Sequence, residues 1–320
     1  MQTLARKRLL STSAVLSTLL LLLAALSYVA DKPVAELRAR WAPAPSQFIR
    51  VQDMDVHVRD EGPREDPVPL VLLHGTSASL HTWEGWAEAL RQERRVLRFD
   101  LPGFALTGPH PAADYRIEGY LQFVLAMLDQ LGIEQCVLAG NSLGGQIAWN
   151  FAAQHPHRVQ RLILVNAAGY PFHPDANIPL GFTLARTPVV SSLLEYTLPR
   201  SVVAQSLRDV YGDPAKVTPE LIDLYRDLAL RAGNRRALIQ RFREEPIVHV
   251  ERIATLSQPT LILWGARDRL FPVSDAQRYA TEIANSELVI FEDLGHVPQE
   301  EDPRSTAAAV REFLRAKVAQ

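Results

Sequence analysis

The chain of 320 residues is poor in cysteine, in excess charge of one sign and in motifs that hold metals or nucleotides. Its single cysteine, Cys136, cannot form an intramolecular disulfide, and the apolar run around it favours a buried structural role. The net charge of -2 gives no electrostatic reason to expect a nucleic-acid partner. No HExxH, paired cysteines, GxGxxG or P-loop occurs, so the sequence predicts no metal and no nucleotide cofactor.

Residues 1–30 predict a membrane anchor or a signal peptide. A basic run at residues 6–8 precedes an uncharged stretch from Leu9 to Ala30, and roughly 20 apolar residues suffice to span a bilayer as a helix. The length favours an anchor that is not cleaved, whereas the small residues Ala25 and Ser27 leave a cleaved signal open. We expect the rest of the chain to lie outside the cytoplasm, on the periplasmic side, or to be secreted after cleavage.

The remainder of the chain predicts an α/β fold with a mostly parallel sheet flanked by helices. Residues 31–47 contain three prolines and predict a linker. From residue 48, short apolar runs alternate with helical patterns, which indicates parallel strands in a core formed by 48–169 and 255–320. The expected strands are Leu70 to Leu73, Val96 to Phe99, Cys136 to Ala139, Leu162 to Val165, Leu261 to Trp264 and Leu288 to Phe291. Residues 48–59 predict an antiparallel pair at one edge.

Between the fourth and fifth of these runs the alternation stops. Residues 170–254 contain several helical patterns broken at Pro188, Pro199 and Pro214. Long insertions without a function are uncommon, so this segment predicts a helical cap over a site.

The strongest motif is GNSLG at residues 140–144, which fits GxSxG between a strand and a helix. The glycines permit a sharp turn that projects the hydroxyl of Ser142 from the sheet edge, and the helix that follows presents the free N–H of Leu143. We therefore predict Ser142 as a nucleophile and Leu143 as an oxyanion donor. The alternative is that Ser142 only caps the helix.

A serine nucleophile needs a base and an acid that orients this base. Asp268 follows the run Leu261 to Trp264, and His296 follows the last run, so the chain order Ser, Asp, His matches that of hydrolases on α/β sheets. A solvated loop acid and a loop histidine are the structural alternatives. Asp293 and Glu292 rank below Asp268 as backup acids. They stand too near His296 in the sequence for the usual arrangement of acid and base.

Two further loops are expected at the same edge of the sheet. The turn His74, Gly75, Thr76 would supply the second oxyanion donor, which we assign to the N–H of Thr76. His74 is interpreted as a structural hydrogen-bonding residue and Asp100 as an acid that stabilises a turn.

These segments resemble the α/β-hydrolase superfamily over about residues 48 to 318. The resemblance rests on HGT at 74–76, DLPGF at 100–104, GNSLGG at 140–145, WGARD ending at Asp268 and LGHVP around His296. It implies an eight-stranded sheet, a helical cap after the sixth strand and chemistry without a cofactor. The chain is similar to bacterial lipases and esterases and to meta-cleavage-product C–C hydrolases. It departs from the C–C hydrolases where Thr76, Ser77 and Ala78 replace a glycine-rich stretch with proline, and where Val297 replaces a tryptophan.

The leading hypothesis is a serine hydrolase that cleaves a small-molecule carboxylic ester through an acyl-enzyme on Ser142, tethered to a membrane by its N-terminal helix. C–C bond hydrolysis and perhydrolase activity without a cofactor use the same triad and stay open. A non-hydrolytic binder that holds a small ligand under the cap is the alternative of another class.

Overall fold

The computed structural model describes residues 28–187, 190–244 and 249–316, which form a single sheet with helices on both faces. Its strands are β1 Gln47–Val51, β2 Met54–Glu61, β3 Leu70–Leu73, β4 Val96–Phe99, β5 Cys136–Asn141, β6 Val159–Val165, β7 Thr260–Gly265 and β8 Ser286–Phe291. Their order in the sheet is β1-β2-β4-β3-β5-β6-β7-β8. Strand β2 runs antiparallel to β1 and β4, and all other neighbours are parallel. The predicted fold class is confirmed.

The central strands are mostly apolar, with the buried Arg98 of β4 as an exception, because helices cover both faces of the sheet. Every residue of β3, β4, β5 and β7 is buried. One face carries α2 Glu84–Leu90 and α12 Pro303–Arg315, whose Trp86 and Val310 pack with Leu72 of β3. The other face carries α3 Ile117–Gln130, α4 Leu143–Gln154 and α10 Val273–Glu282. Cys136 is buried in β5, and burial raises the pKa of its thiol to about 12.

In the described residues, five α-helices lie between β6 and β7, and we call these helices and the loops that join them the cap. They are α5 Leu180–Arg186, α6 Val190–Leu194, α7 Arg200–Val210, α8 Pro219–Ala229 and α9 Asn234–Arg243. Prolines stand immediately before α5 and α7 and at the first position of α8, where a fixed φ and a missing N–H cost a helix nothing. Helices α7 and α8 bury a small apolar cluster of their own, which includes Val297 from the loop after β8. The boundaries 170–254 stay a prediction.

The segment before β1 differs from the linker that its prolines suggested. It contains helix α1 Val34–Trp41 and packs on the cap. Asp227 of α8 has a carboxylate only 5% exposed, and it accepts from Lys32 Nζ at 2.9 Å, Arg40 Nη1 at 2.8 Å and Trp41 Nε1 at 3.1 Å. The prolines are visible in the composition, but the pairing of Lys32 and Arg40 with the buried Asp227 is not. Arg40 and Asp227 are 187 positions apart in the chain.

Residues 1–27, with most of the predicted anchor, lie outside the described residues. In the three described ranges, no helix combines the length and the apolar character needed to cross a bilayer. Four 3₁₀ turns and the short helix α11 complete the described elements: Leu80–Trp83, Pro156–Arg158, Pro214–Lys216, Val250–Thr255 and α11 Pro298–Glu301.

Candidate active site

Ser142 occupies a strained turn between β5 and α4. Its φ of 55° and ψ of -118° lie in a region that side chains other than glycine rarely adopt. The turn is tight because α4 starts directly on the sheet: a Cβ on Gly144 would stand 2.1 Å from the carbonyl oxygen of Leu73. The N–H of Ser142 donates to Val165 O, and its carbonyl accepts from Gln146 N, so both strand and helix fix the turn. This is the geometry that the GxSxG motif predicts.

His296 and Asp268 meet at the same edge of the sheet. His296 Nδ1 lies 2.7 Å from Asp268 Oδ2, and both side chains are buried, at 6% and 1% exposure. Asp268 Oδ1 accepts from the backbone N–H groups of Leu270 and Phe271 at 2.8 and 3.1 Å. These donors fix the orientation of the carboxylate, and the contact through Nδ1 leaves Nε2 of His296 for the cavity.

Asn166, which sequence reasoning missed, is a direct partner of Asp268. It follows β6, is fully buried, and donates from Nδ2 to Asp268 Oδ2 at 2.7 Å. Its Oδ1 accepts from Gly265 N at 3.0 Å, so the amide also fixes the end of β7. Its φ of 39° is left-handed, a conformation that asparagine tolerates better than most residues. The only indication of this role in the sequence was that an asparagine stands directly after an apolar strand.

The backbone of His296 and of Gly295 before it is held by three elements. Asn141, next to Ser142, donates from Nδ2 to His296 O at 2.9 Å. The N–H of His296 donates to Val210 O, at the end of α7 in the cap, at 2.7 Å. The carboxylate of Glu301, on α11, accepts from Gly295 N at 2.7 Å. Neither Asn141 nor Glu301 was among the predicted site residues.

The same Glu301 carboxylate also accepts from the N–H groups of Gly212 and Asp213 in the cap, at 2.9 and 3.0 Å. Its neighbour Glu300 accepts from Tyr211 Oη at 2.6 Å and from Tyr225 Oη at 2.9 Å. Burial, followed by the nearby Glu300 charge, raises the pKa of both tyrosines, which keeps them as neutral donors. The cap is therefore bonded to the segment that carries His296.

Ser142 and His296 line one cavity of about 140 Å³ under the cap. Among the described hydrogen bonds there is none between Ser142 Oγ and His296 Nε2; in free enzymes this contact is often long and tightens with substrate. The wall is mostly apolar. Residues of the cap in this wall include Phe182, Ala185, Leu194, Leu198, Val202, Val203, Leu207, Val210, Tyr225, Arg235, Leu238 and Ile239.

The predicted oxyanion loop lies against Ser142. A Cβ on Gly75 would stand 3.1 Å from both Ser142 Cβ and Asn141 Oδ1, and Thr76 lines the cavity beside Ser142. Leu143 is the first residue of α4, where a backbone N–H has no acceptor within the helix. The two N–H groups thus belong to segments that flank Ser142, and their role as oxyanion donors stays a prediction.

The remaining candidates have structural contacts. His74 is buried between Gly75 O and Leu101 N, which bond its two ring nitrogens, and burial lowers its pKa. Asp100 accepts from the N–H groups of Leu80 and Leu106 and from His57 Nδ1. Burial alone would raise the pKa of Asp100, but the attraction and hydrogen bond of His57, together with the attraction of His74 and His81, outweigh it and lower the pKa to about 2.

The backup acids are not partners of His296 in the structure. Asp293 is ion-paired with Arg267 at the surface, and Glu292 is exposed. In the described part of the chain, no set of three His, Cys, Asp or Glu side chains is arranged to bind a metal ion.

Comparison with known proteins agrees with this architecture. The family model of the α/β-hydrolase fold matches residues 68–187 and 201–303. The chain is 29% identical to 2-hydroxy-6-oxo-2,4-heptadienoate hydrolase of Pseudomonas putida, over 78% of this chain and 90% of that protein. A solved meta-cleavage product hydrolase of Pseudomonas fluorescens IP01 matches with a TM-score of 0.72 at 26% identity, over 84% of this chain and 97% of the other.

A crystal structure described as a membrane phospholipase A, a novel bacterial virulence factor, matches with a TM-score of 0.74 at 26% identity, over 96% of both chains. The match of the family model over most of the chain, together with the sheet order and the turn at Ser142, shows that the protein belongs to the α/β-hydrolase fold family and is a hydrolase.

Proposed function

We propose that the protein hydrolyses carboxylic esters with an apolar acyl group, through an acyl-enzyme on Ser142. The observation that carries this proposal is the cavity itself: Ser142 and His296 stand together in a wall that is otherwise mostly apolar. Such a wall binds hydrocarbon and excludes water from the reacting bond.

The steps follow from the bonds of the site. His296 Nε2 takes the proton of Ser142 Oγ while the oxygen attacks the acyl carbon, since Nδ1 is engaged by Asp268. The N–H groups of Thr76 and Leu143 stabilise the charge on the carbonyl oxygen. His296 then returns the proton to the leaving alcohol. Water, deprotonated by the same imidazole, releases the acid and restores the serine.

C–C hydrolysis is the second candidate, because relatives with that activity in their names match most of the chain. The lining of the cavity supports our choice of esters as the first candidate. The cavity wall contains Thr76, Ser77 and Ala78 after the His-Gly pair and Val297 after His296, at the positions where the chain departs from the C–C hydrolases.

We include membrane anchoring through the N-terminal helix in this proposal. It is supported by the uncharged stretch Leu9 to Ala30 and by the similarity to a protein named a membrane phospholipase A. With the enzyme outside the cytoplasm, membrane lipids and imported esters would be accessible substrates. Fractionation of cells that express the full chain tests this placement: recovery in the soluble fraction at full length would contradict it.

The activity is tested with aryl esters of butyrate, octanoate and palmitate and with a 2-hydroxy-6-oxo-dienoate. We expect ester turnover, and loss of more than about a thousandfold of it in Ser142→Ala. A fluorophosphonate probe should label the native chain and not this variant. Turnover of the dienoate with no turnover of esters would reject ester hydrolysis in favour of the second candidate, and an unreactive Ser142 would reject both.

A further inference from the structure

One cation stands in the wall of the apolar cavity. Among the described residues that line the cavity, Arg235 is the only one of the four types Asp, Glu, Lys and Arg. Its side chain is 7% exposed, so the guanidinium has lost most of its hydration. Arg235 also lies in the first turn of α9, where the helix dipole is unfavourable to a positive charge. Both features make this position costly for an arginine.

Contacts within the chain offset only part of the free-energy cost of burying the Arg235 guanidinium. Arg235 Nη2 donates to Asp31 Oδ1 at 2.7 Å, but the Asp31 side chain is 44% exposed and belongs to the segment before α1. The atoms Nε and Nη1 are buried without a hydrogen-bond partner. These two atoms carry three N–H groups of the guanidinium. Buried donors of this kind are normally satisfied, and a guanidinium is best satisfied by the paired oxygens of a carboxylate or phosphate.

We propose that Arg235 is a specificity residue that recognises an anionic oxygen group on the ester. The proposal rests on the proposed ester hydrolysis and narrows its substrate class to amphiphiles, with a hydrocarbon chain against the apolar wall and a carboxylate or phosphate at Arg235. The oxygen group of the ligand would take up the unpaired N–H groups and share the guanidinium with Asp31 or replace it.

Matched substrate pairs test this proposal on the full chain. One pair compares aryl esters of octanoate and of suberate, which differ by a terminal carboxylate on the acyl side. The other compares monooleoylglycerol with oleoyl lysophosphatidic acid, which differ by a phosphate on the alcohol side. The quantity measured is the ratio of kcat/KM for the anionic member to that for the neutral member. If substitution of Arg235 changes the ratio in only one pair, that pair shows whether the anion lies on the acyl side or on the alcohol side of the ester.

We expect Arg235→Met to lower this ratio by about ten- to a hundredfold in at least one pair, which corresponds to about 1.4–2.8 kcal/mol. Arg235→Lys should lower it less, because the charge remains while the planar fork is lost. The matched control is Asp31→Asn, which removes the same ion pair and keeps the guanidinium. A purely structural role of the pair predicts that Asp31→Asn and Arg235→Met have the same effect, whereas recognition of the substrate predicts that Asp31→Asn maintains or raises the ratio.

Equal losses on both members of every pair in Arg235→Met, or the same drop of the ratio in Asp31→Asn, would overturn the inference while ester hydrolysis stands. If the native chain cleaves no member of any pair, the proposed function fails and the inference fails with it. Thermal unfolding of each variant separates these outcomes from loss of the fold, and Arg235→Lys carries the test if Arg235→Met does not fold.

Discussion

Glu301 connects the loop that carries His296 to the cap through a single buried carboxylate. One oxygen, Oε2, accepts from Gly295 N and Gly212 N, and the other, Oε1, accepts from Asp213 N. The substitution Glu301→Gln keeps the shape of the side chain but turns one of these oxygens into an NH₂ group. Whichever way the amide lies, at least one of the three N–H groups then faces another donor.

The size of the effect follows from these contacts. A buried N–H that loses its acceptor costs about 1–3 kcal/mol, and the bonds that remain lose the assistance of a full charge. We expect the free energy of unfolding to fall by about 2–4 kcal/mol and the melting temperature by about 2–4 °C per kcal/mol. Because Gly295 precedes His296, the imidazole should also shift, and a shift of about 1 Å lowers kcat by up to about a hundredfold.

Glu300→Gln is the matched control, since it makes the same change one residue earlier. The side chain of Glu300 bonds Tyr211 and Tyr225 of the cap, and among the described hydrogen bonds it makes none to the loop of His296. Kinetics on an octanoate ester, with circular dichroism for stability, should give a lower kcat for Glu301→Gln and mainly a higher KM for Glu300→Gln. The reasoning is refuted if Glu301→Gln loses stability at native kcat, or if both variants lower kcat equally.

Three other changes have defined outcomes. Asn166→Ala removes the 2.7 Å bond to Asp268 and should lower both the stability, by about 1.5–3 kcal/mol in urea, and kcat, by roughly tenfold; native values of both would contradict the role of the amide. Burial lowers the pKa of His81 from 6.5 to about 4, so the unfolded chain binds this proton first and stability falls by up to about 3 kcal/mol from pH 6.5 to 4. His81→Gln should flatten that slope, and an unchanged slope would exclude His81 as a cause. Gly144→Ala, with no room beside Leu73 O, should lose about 3 kcal/mol or fail to fold, whereas a native melting temperature would show that the turn can relax.

The meeting of Ser142, Asp268 and His296 could be predicted because it depends on topology alone. Each follows a strand, β5, β7 or β8, and all parallel strands end at the same edge of the sheet. The bond between His296 and Asp268 at 2.7 Å agrees with that expectation, although the catalytic roles await the substitutions above. The apolar runs likewise predicted every parallel strand, since strands covered on both faces need no polar side.

The supporting residues could not be predicted in this way. Asn166 reaches Asp268 across 102 positions of the chain, and Arg40 reaches Asp227 across 187. Such bonds depend on the order of the strands in the sheet and on the position of the cap over it. The periodicity of a short stretch of sequence predicts neither. The position of β4 between β2 and β3 is also a product of crossover connections rather than of any pattern within the strand.

The end of α7 and the turn after it join the cap to the loop of His296, so the two are not separate parts. Val210 contributes both to the cavity wall and, through its carbonyl oxygen, to the N–H of His296 at 2.7 Å. Gly212 packs so closely on the loop that a Cβ there would stand 2.7 Å from Gly295 N. A ligand that displaces α7 must therefore either carry the loop of His296 with it or break these bonds. Binding energy from a remote part of the substrate can thus change the position of His296, so substrates that differ only under the cap should differ in kcat as well as in KM.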